Sequence, residues 1–490
     1  MSQQHQDIIQ SNQSRLHGQT TVSPKKQDAY EQGMKKLVSN LRGELILPDD
    51  SAYEVERKVW SGNFDGYPAA IVRCVDVEDV KTAVNVARDL AMLLSVRSGG
   101  HSIPGYGTND GGLVIDLSGM KTITVDPIRR TVRLEPGLTW GEVANTLQSF
   151  GLAMTSGDTA SVGVGGVLLG GGIGLMARAY GLAIDHLRSV ELVTADGQLR
   201  RASAEENPEL FWGLRGGGGN FGVATAFELD LHPGGTILGG IVFYEATEPE
   251  RILQEYVRLA TAAPDGLSTQ VILALAPPAP FIPPDKQGQP IVGILVCYTG
   301  DLSEGERVLA PLRQIATPIA DLIAPMPYAN IFAFTEIGEV RGLQHHGRTQ
   351  FFETLSEDMV QTLVEASQSI MSPETVVALR VLGGAISRVA TDATAFAHRD
   401  KQGMVLTTHY APLSADAASL HARTERVFQA LLPYANGAYV GFLGDEGEQR
   451  IREAYPPATY DRLVALKNQY DPTNLFRLNQ NIKPTFAPRV

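Results

Sequence analysis

Apolar positions in the first part of the chain recur with two periods, which predicts strands alternating with helices. Residues 69–75, which are apolar except for Arg73, form a run typical of a strand, and Asp76 follows as a helix cap. Apolar side chains then recur at helical spacing, at Val80, Ala83, Val84, Ala87 and Leu90. A second apolar run at 93–96 completes a predicted strand–helix–strand unit.

The same criteria predict further short elements before Pro233. Strands are predicted at 111–117, 122–126, 131–135, 190–194 and 223–231. Helices are predicted at 137–150 and 208–214. These alternating elements predict a first domain.

After Pro233 the strands become longer, which predicts a second domain. Strands are predicted at 241–245, 269–275, 291–298, 376–381 and 404–410. Helices are predicted at 250–262 and 303–315, and a proline-rich surface loop at 277–290; a further helix at 460–469 belongs to the C-terminal segment. The pattern indicates an α+β fold with a large antiparallel sheet backed by helices.

Composition shifts predict four segments. A polar arm at 1–36 ends in a short helix, the first domain covers 37–233, and the second covers 234–433. Residues 434–490 are rich in turns and amide side chains, and we expect them to return to the first domain as a C-terminal strap.

Charge and cysteine content exclude several classes of function. The 490-residue chain has a net charge of −13, which argues against nucleic acids and anionic membranes as partners. Cys74 and Cys297 lie in apolar runs, as expected of buried thiols. No run is long enough to span a bilayer, and the arm lacks the apolar core of a signal peptide. We therefore expect a cytoplasmic protein.

Candidate chemistry begins at the loop after the second predicted strand, Arg97-Ser98-Gly99-Gly100-His101-Ser102. Glycine pairs let backbone N–H groups approach a phosphate closely, and the serines and arginine add donors and charge. His101 is placed to meet whatever the phosphates carry. The alternative is an ordinary glycine turn with a solvated histidine.

A second glycine-rich stretch favours the ligand interpretation. Seven of the twelve residues from Gly163 to Gly174 are glycine. Since glycine weakens helices and strands, this density predicts backbone lying flat against a large ligand. Gly217, Gly219 and Gly222 match a dinucleotide pattern, but a strand rather than a helix follows, so that interpretation is rejected.

Six motifs in order resemble the berberine-bridge-enzyme-like flavoproteins of the vanillyl-alcohol-oxidase superfamily. They are the His101 loop, residues 111–117, the glycine stretch 162–174, Tyr180 to Asp185, Leu214 to Gly222, and residues 470–482. The resemblance covers residues 47–485 and is weaker in the middle third. It implies a two-part FAD-binding domain of the PCMH type and a separate substrate domain.

The resemblance implies FAD bound by the first domain and the strap. The implied cofactor residues are Arg97, Ser98, Gly99, Gly100, His101, Ser102, Gly107, Gly157, Asp158, Thr159, Val162, Gly163, Gly165, Gly166, Gly170, Gly172, Gly222, Val223, Asn479 and Asn481. It also implies a covalent bond from His101 to the flavin 8α-methyl group, and a neutral imidazole is a competent nucleophile for that bond.

Two departures from the family pattern carry further expectations. Many members have a second link from a cysteine, but Thr159 occupies that position here, which predicts a single link. Val162 matches the position where a small residue admits oxygen to the flavin, which favours an oxidase. No metal is expected, because adjacent histidines such as His345 and His346 point apart in regular structure.

The proton acceptor is sought in the weakly matching region. Tyr439 matches a family tyrosine near the substrate, although Gly441 replaces the usual asparagine, and a core tyrosine is the alternative. His345 and His346 border the expected pocket. His409 and Tyr410 end a strand, so only one of the two can face that pocket. A structural role is the alternative for each histidine.

The sequence therefore predicts an FAD-dependent oxidase of a small alcohol, sugar or amine. Hydride passes to flavin N5, and O2 is reduced to H2O2. A dehydrogenase or oxidative cyclase with another acceptor is the alternative, and a flavin carrier is a third possibility that the intact His101 loop argues against. We expect a monomer or homodimer.

Overall fold

The computed structural model describes residues 24–336 and 340–485. It contains two domains that combine helices with antiparallel sheets, so the predicted α+β class is confirmed. Residues 1–23 of the predicted arm lie outside the described residues. The predicted short helix is present at Pro24–Asn40, where Met34 and Leu37 are buried.

The first domain contains two main sheets. Its elements are α1 (Pro24–Asn40), β1 (Glu44–Ile46), α2 (Tyr53–Glu56), β2 (Ala70–Arg73), α3 (Val77–Asp89), β3 (Leu94–Arg97), β4 (Leu113–Asp116), β5 (Ile123–Asp126), β6 (Thr131–Leu134), α4 (Trp140–Gln148), β7 (Leu152–Ala153), α5 (Val164–Gly170), α6 (Ala177–Tyr180), β8 (Leu187–Val193), β9 (Leu199–Ser203), α7 (Pro208–Leu214), β10 (Val223–Asp230) and β11 (His232–Pro233). The sheets have the orders β1-β2-β4-β3 and β5-β6-β10-β8-β9.

The predicted strand–helix–strand unit is confirmed. β2 and β3 both pair in parallel with β4, which lies between them. The Asp76 side chain caps α3 by accepting the N–H groups of Glu78 and Asp79 at 2.9 and 3.1 Å. The unit delivers the chain from β3 directly into the His101 loop.

The second domain is built on an eight-stranded antiparallel sheet. Its elements are β12 (Thr236–Glu245), α8 (Pro249–Ala262), β13 (Leu267–Leu275), β14 (Pro290–Tyr298), α9 (Leu302–Arg313), β15 (Pro318–Asp321), β16 (Ala324–Pro327), β17 (Gln344–Phe352), α10 (Glu357–Gln368), β18 (Thr375–Val381), α11 (Ala385–Arg388), β19 (Gly403–Ala411) and α12 (Ala417–Leu431). The order is β15-β12-β14-β13-β18-β19-β17, with β16 also paired to β12. Residues 344–352, 357–368 and 417–431 were not predicted as elements.

The two faces of this sheet have different neighbours because side chains alternate along each strand. Val271, Val377 and Val405 pack with side chains from α8, α10 and α12 in one core. Met404 and Phe351 lie on the opposite face and pack with residues of the first domain. The sheet is therefore covered by helices on one side and faces the first domain on the other.

Buried arginines join the two domains. Arg399 of the second domain pairs with Asp185 of the first through two hydrogen bonds of 2.7 Å, and both side chains are buried. Arg178 of the first domain donates to the carbonyl oxygens of Leu382 and Ala263. These contacts fix the position of the second sheet over the first domain.

Residues 163–174 are not the flat backbone segment that their glycine content predicts. Val164–Gly170 forms helix α5, with Val164 and Leu168 fully buried one turn apart. Burial of this apolar side outweighs the low helix propensity of glycine. Gly171 and Gly172, with φ of +148° and +79°, then end the helix in a turn that favours glycine.

The C-terminal return is anchored by an ion pair that sequence analysis missed. Helices α13 (Glu448–Ala454) and α14 (Pro457–Tyr470) precede it. The fully buried Lys467 ammonium donates to Asp471 at 2.7 Å and to the carbonyl oxygens of Asn220 and Phe476 at 2.8 Å. Asp471 in turn accepts backbone N–H groups of the following turn. One cation thus ties α14, the return and the first domain together.

Cys74, directly after β2, and Cys297, in β14, are free buried thiols, as expected. Burial raises the pKa of both, that of Cys297 to about 12. Among the described helices, none combines the length and apolarity needed to cross a membrane.

Replacing Lys467 by methionine should reduce the free energy of unfolding by about 3–5 kcal/mol, because Asp471 would remain buried without its counterion. The midpoint of urea-induced unfolding, followed by circular dichroism, measures this. Arg258→Met, which removes an exposed pair with Glu255, is the control and should cost less than about 1 kcal/mol. Equal losses in the two variants would contradict the role given to Lys467.

Candidate functional site

A buried ion pair fixes the His101 loop where it leaves β3. Arg97 Nη2 lies 2.8 Å from Asp116 Oδ2, with both side chains buried. Burial alone would raise the pKa of Asp116, but the Arg97 charge and hydrogen bonds lower it below its usual value. Gly107 packs against the Arg97 side chain, and the Ser102 hydroxyl accepts the N–H of Tyr106 at 3.3 Å. The base of the loop is therefore fixed.

His101 is a neutral imidazole near pH 7. Burial, assisted by the positive charge of Arg341, lowers its pKa to about 4. Its ring stacks on Trp60 with the centroids 5.0 Å apart. The ring is thus held in a form that has a free lone pair.

Glycine backbones bring α5 against the loop. A Cβ at Gly99 would overlap the Gly163 backbone, and one at Gly163 would overlap Gly99. The Ser98 hydroxyl donates to the Pro136 carbonyl and accepts the Gly165 N–H at 3.3 Å. The start of α5 and the loop therefore form one surface.

The other end of α5 meets the strap. The Gly216 N–H donates to the Leu169 carbonyl at 3.0 Å. Asn220 donates to the Gln480 carbonyl at 3.1 Å and accepts the Ile482 N–H at 2.9 Å. Asn479 donates to the Gly219 carbonyl at 3.1 Å. The strap therefore borders the same surface.

This surface has the space and the polar groups that a dinucleotide requires. A Cβ at Gly166, Gly218 or Gly219 would meet no atom within 4 Å, and one at Gly170 would meet only Val440. Several polar atoms here are buried without a hydrogen-bond partner: Trp60 Nε1, Arg97 Nη1, Asn479 Oδ1 and Asn481 Oδ1. Buried polar groups normally have partners, so their donors and acceptors fit a bound FAD.

Other predicted cofactor residues lie deeper. Gly157 packs against the Trp140 ring, and Gly222 against the Val193 backbone. The Val223 side chain belongs to a hydrophobic core in β10. The Cα atoms of Gly157 and Gly222 and the side chain of Val223 therefore face packed protein.

Trp60 links the two domains at the site, and sequence analysis missed it. The Trp60 backbone N–H donates to the Gly100 carbonyl at 3.0 Å, and the Trp60 backbone carbonyl accepts the Gly342 N–H at 2.9 Å. Its ring lies 5.2 Å from the His345 ring and 6.1 Å from the Tyr410 ring. A pattern search gives no signal for such a residue, because its contacts come from distant segments.

His345 faces the first domain. The Asn63 side chain binds the His345 backbone, accepting its N–H at 2.8 Å and donating to its carbonyl at 3.0 Å. Nε2 lies 2.7 Å from the Thr408 hydroxyl, and Nδ1 is buried without a partner. Burial and neighbouring histidines lower its pKa to about 3, so the ring is neutral.

His346 and His409, two of the candidate proton acceptors, lie on the face of the sheet turned away from the first domain. The two residues are cross-strand partners, as are His345 and Tyr410, and each pair occupies one face of the sheet. His409 Nδ1 lies 2.9 Å from the Thr424 hydroxyl of α12, on the helix-covered face. Strand alternation therefore places His345 and Tyr410 on the face turned to the first domain, and His346 and His409 on the helix-covered face.

Tyr439 is a buried support. Its hydroxyl accepts the Gly172 N–H at 2.9 Å, and its ring packs among Phe351, Phe396 and Phe442. Burial raises its pKa to about 12, so the phenol stays protonated near pH 7. This geometry matches the alternative of a core tyrosine, which here fixes the turn after α5.

Asp158 is held by the second domain. The Arg380 guanidinium pairs with the Asp158 carboxylate, donates to the Ile173 carbonyl, and also donates to Gln270 Oε1 at 2.6 Å. The neighbouring Thr159 hydroxyl lies 3.4 Å from Asp158 Oδ1. Arg380 and Gln270 were not singled out from the sequence. No cluster of three or more His, Cys, Asp or Glu side chains that could hold a metal occurs in the described residues.

Comparisons with known proteins agree with this geometry. The FAD binding domain family model matches residues 68–203, and the berberine and berberine-like model matches 438–483. The (R)-6-hydroxynicotine oxidase of Paenarthrobacter nicotinovorans is 32% identical over 468 residues, which cover 91% of this chain and 97% of that protein. The chain belongs to the berberine-like family of FAD-linked oxidoreductases.

Two further family members extend the comparison. The structure of 6-hydroxy-D-nicotine oxidase from Arthrobacter nicotinovorans superposes with a TM-score of 0.82 at 29% identity, covering 90% of this chain and 98% of that one. Xylooligosaccharide oxidase from Thermothelomyces thermophilus is 27% identical over 488 residues, covering 93% and 95%. Berberine-like proteins of similar fold thus carry names that refer to very different substrates.

Gly99→Ala should lower the FAD content of the purified protein at least tenfold, because the new methyl group separates the His101 loop from α5. Absorbance at 450 nm relative to 280 nm measures the content, and circular dichroism confirms folding. Gly235→Ala, where a Cβ meets no atom within 4 Å, is the control and should keep full FAD content. A folded Gly99→Ala protein with full FAD content would contradict the need for this contact.

Proposed function

We propose that this chain is an oxidase whose FAD is attached through His101 alone. The observation that carries the proposal is the neutral, half-buried His101 ring, held against Trp60 at the edge of the glycine surface. When bound, FAD supplies a hydride acceptor at N5 that O2 reoxidises with formation of H2O2. The substrate is a small alcohol, sugar or amine.

A single attachment is supported by the position of the two thiols. Thr159 stands where a second tether would start, and its hydroxyl is not a nucleophile comparable to a thiolate. Cys74 and Cys297 are both buried, and their raised pKa keeps them protonated. Neither thiol is available for a second bond.

His345 is the proton acceptor in this proposal. It is neutral, it faces the first domain, and its Nδ1 has no partner. Asn63 and Thr408 fix its backbone and its Nε2. Tyr439 acts as a positioning residue, because its hydroxyl already holds the Gly172 N–H. Val162, half-buried just before α5, is the residue that admits oxygen.

Denaturing the holoenzyme in acid should leave the flavin on the chain, and His101→Ala should release it into the supernatant. The physical reason is that the bond to His101 is covalent. Yellow colour and mass of the precipitated protein measure the attachment. His346→Ala is the control, since this residue faces away from the site, and it should keep the flavin attached. Free flavin from the unmutated protein would refute the covalent link.

Substrate added without air should bleach the flavin, and admitting air should restore the colour with one H2O2 for each product molecule. His345→Gln should slow bleaching by about 100-fold, the usual contribution of a positioned base, while His346→Gln changes it less than twofold. Stopped-flow absorbance and a peroxidase-coupled assay follow the two steps. Bleaching without peroxide after re-aeration would exclude an oxidase, and equal rates in both variants would exclude His345.

A further inference from the structure

A row of aliphatic side chains crosses the sheet on the face turned to the first domain. Ile272, Ala378 and Leu406 are cross-strand neighbours on β13, β18 and β19. Thr349 follows Leu406 on β17, with a buried hydroxyl that has no hydrogen-bond partner. The two steps between strands from Ile272 to Leu406 span about 10 Å. Ile272 and Leu406 are only half-buried, although the residues next to them on the other face are fully packed under helices. We call Ile272, Ala378 and Leu406 the aliphatic row.

On one side, the aliphatic row is bordered by a neutralised charge. Arg380 and Gln270 lie two residues along β18 and β13 from Ala378 and Ile272, and their side chains bind each other. Asp158 pairs with the guanidinium from the first domain. Within the described strands β13, β17, β18 and β19, Arg380 is the one charged side chain on this face. The aliphatic row therefore offers no unpaired charge.

On the side opposite Arg380, the aliphatic row is bordered by neutral hydrogen-bonding groups. Thr408 lies two residues beyond Leu406 on β19 and bonds His345 at 2.7 Å. The Tyr410 ring centroid is 5.0 Å from that of His345. Trp60 connects both rings to His101. This polar side of the aliphatic row thus lies next to His101, the proposed attachment point of the flavin.

We propose that the aliphatic row is the wall of the substrate pocket. The substrate is an uncharged, largely hydrocarbon alcohol, and its hydroxyl lies on the side of the row next to His345. This rests on the proposed function. The hydroxyl proton passes to His345, and the carbinol hydrogen leaves with its electron pair to the oxidised FAD, so the alcohol becomes a carbonyl compound. Oxygen then takes both electrons and two protons to give H2O2.

The other two substrate classes fit this wall poorly. A sugar would place several hydroxyl groups against aliphatic side chains, and buried hydroxyl groups without partners are costly. An alkylamine is protonated near pH 7 and needs an anion, but Asp158 is already committed to Arg380. An apolar wall with a few polar groups at one end selects a compact apolar molecule.

Isothermal titration calorimetry on the dithionite-reduced holoenzyme under nitrogen, which can bind but not oxidise an alcohol, tests this with benzyl alcohol, D-glucose and pyrrolidine as probes. We expect a Kd for benzyl alcohol at least tenfold below the other two. Glucose or pyrrolidine binding as tightly as benzyl alcohol, or no binding of benzyl alcohol, would overturn the proposal.

Variants locate the binding to the aliphatic row. Leu406→Thr and Ile272→Thr should each raise the Kd for benzyl alcohol about five- to tenfold, while the volume-conserving Leu406→Met stays within threefold. Ile128→Thr, at a residue 93% exposed in the first domain, is the control and should leave the Kd unchanged. Unchanged affinity in both threonine variants would overturn the proposal even if the alcohol binds.

The assay separates this inference from the oxidase proposal. Peroxide formed from glucose but not from benzyl alcohol would refute the substrate class and leave the oxidase standing. Selective binding of benzyl alcohol by a protein whose flavin never produces peroxide would refute the oxidase and leave the wall standing.

Discussion

The contact between the backbones of Gly99 and Gly163 is the constraint on which the site depends. Without side chains at these two positions, the loop after β3 and the start of α5 lie against each other. This contact sets where His101 stands relative to the glycine surface and the strap beyond it. Trp60 then connects the His101 loop to the second domain, because its backbone bonds both Gly100 of the loop and Gly342 of the second domain.

Much of the fold could be predicted because most elements have a strong period. The strands of the second domain and the helices between them alternate cleanly, and the Asp76 cap is a local signal. Strand β17 was missed because His345, His346 and Arg348 interrupt its apolar pattern. Helix α5 was missed because tertiary burial of Val164 and Leu168 overrides glycine propensity, which a local reading cannot weigh.

The candidate site was predictable only where its residues are contiguous. The His101 loop is a short motif, and its resemblance to a family gave the cofactor. Trp60, Asn63 and Arg380 act through partners far away in sequence, at His345 and Asp158. Choosing between His345 and His346 required the strand register, since a shift of one residue exchanges the two faces.

The cofactor site is completed late during synthesis of the chain, because Tyr439 and the strap are among its last residues. The turn after α5 is held by residue 439, and the glycines at 217–219 are covered by residues 479–482. A ribosome has therefore made nearly the whole chain before the last walls of the site exist. Enclosure of FAD must therefore follow synthesis of the C-terminal residues that close the site.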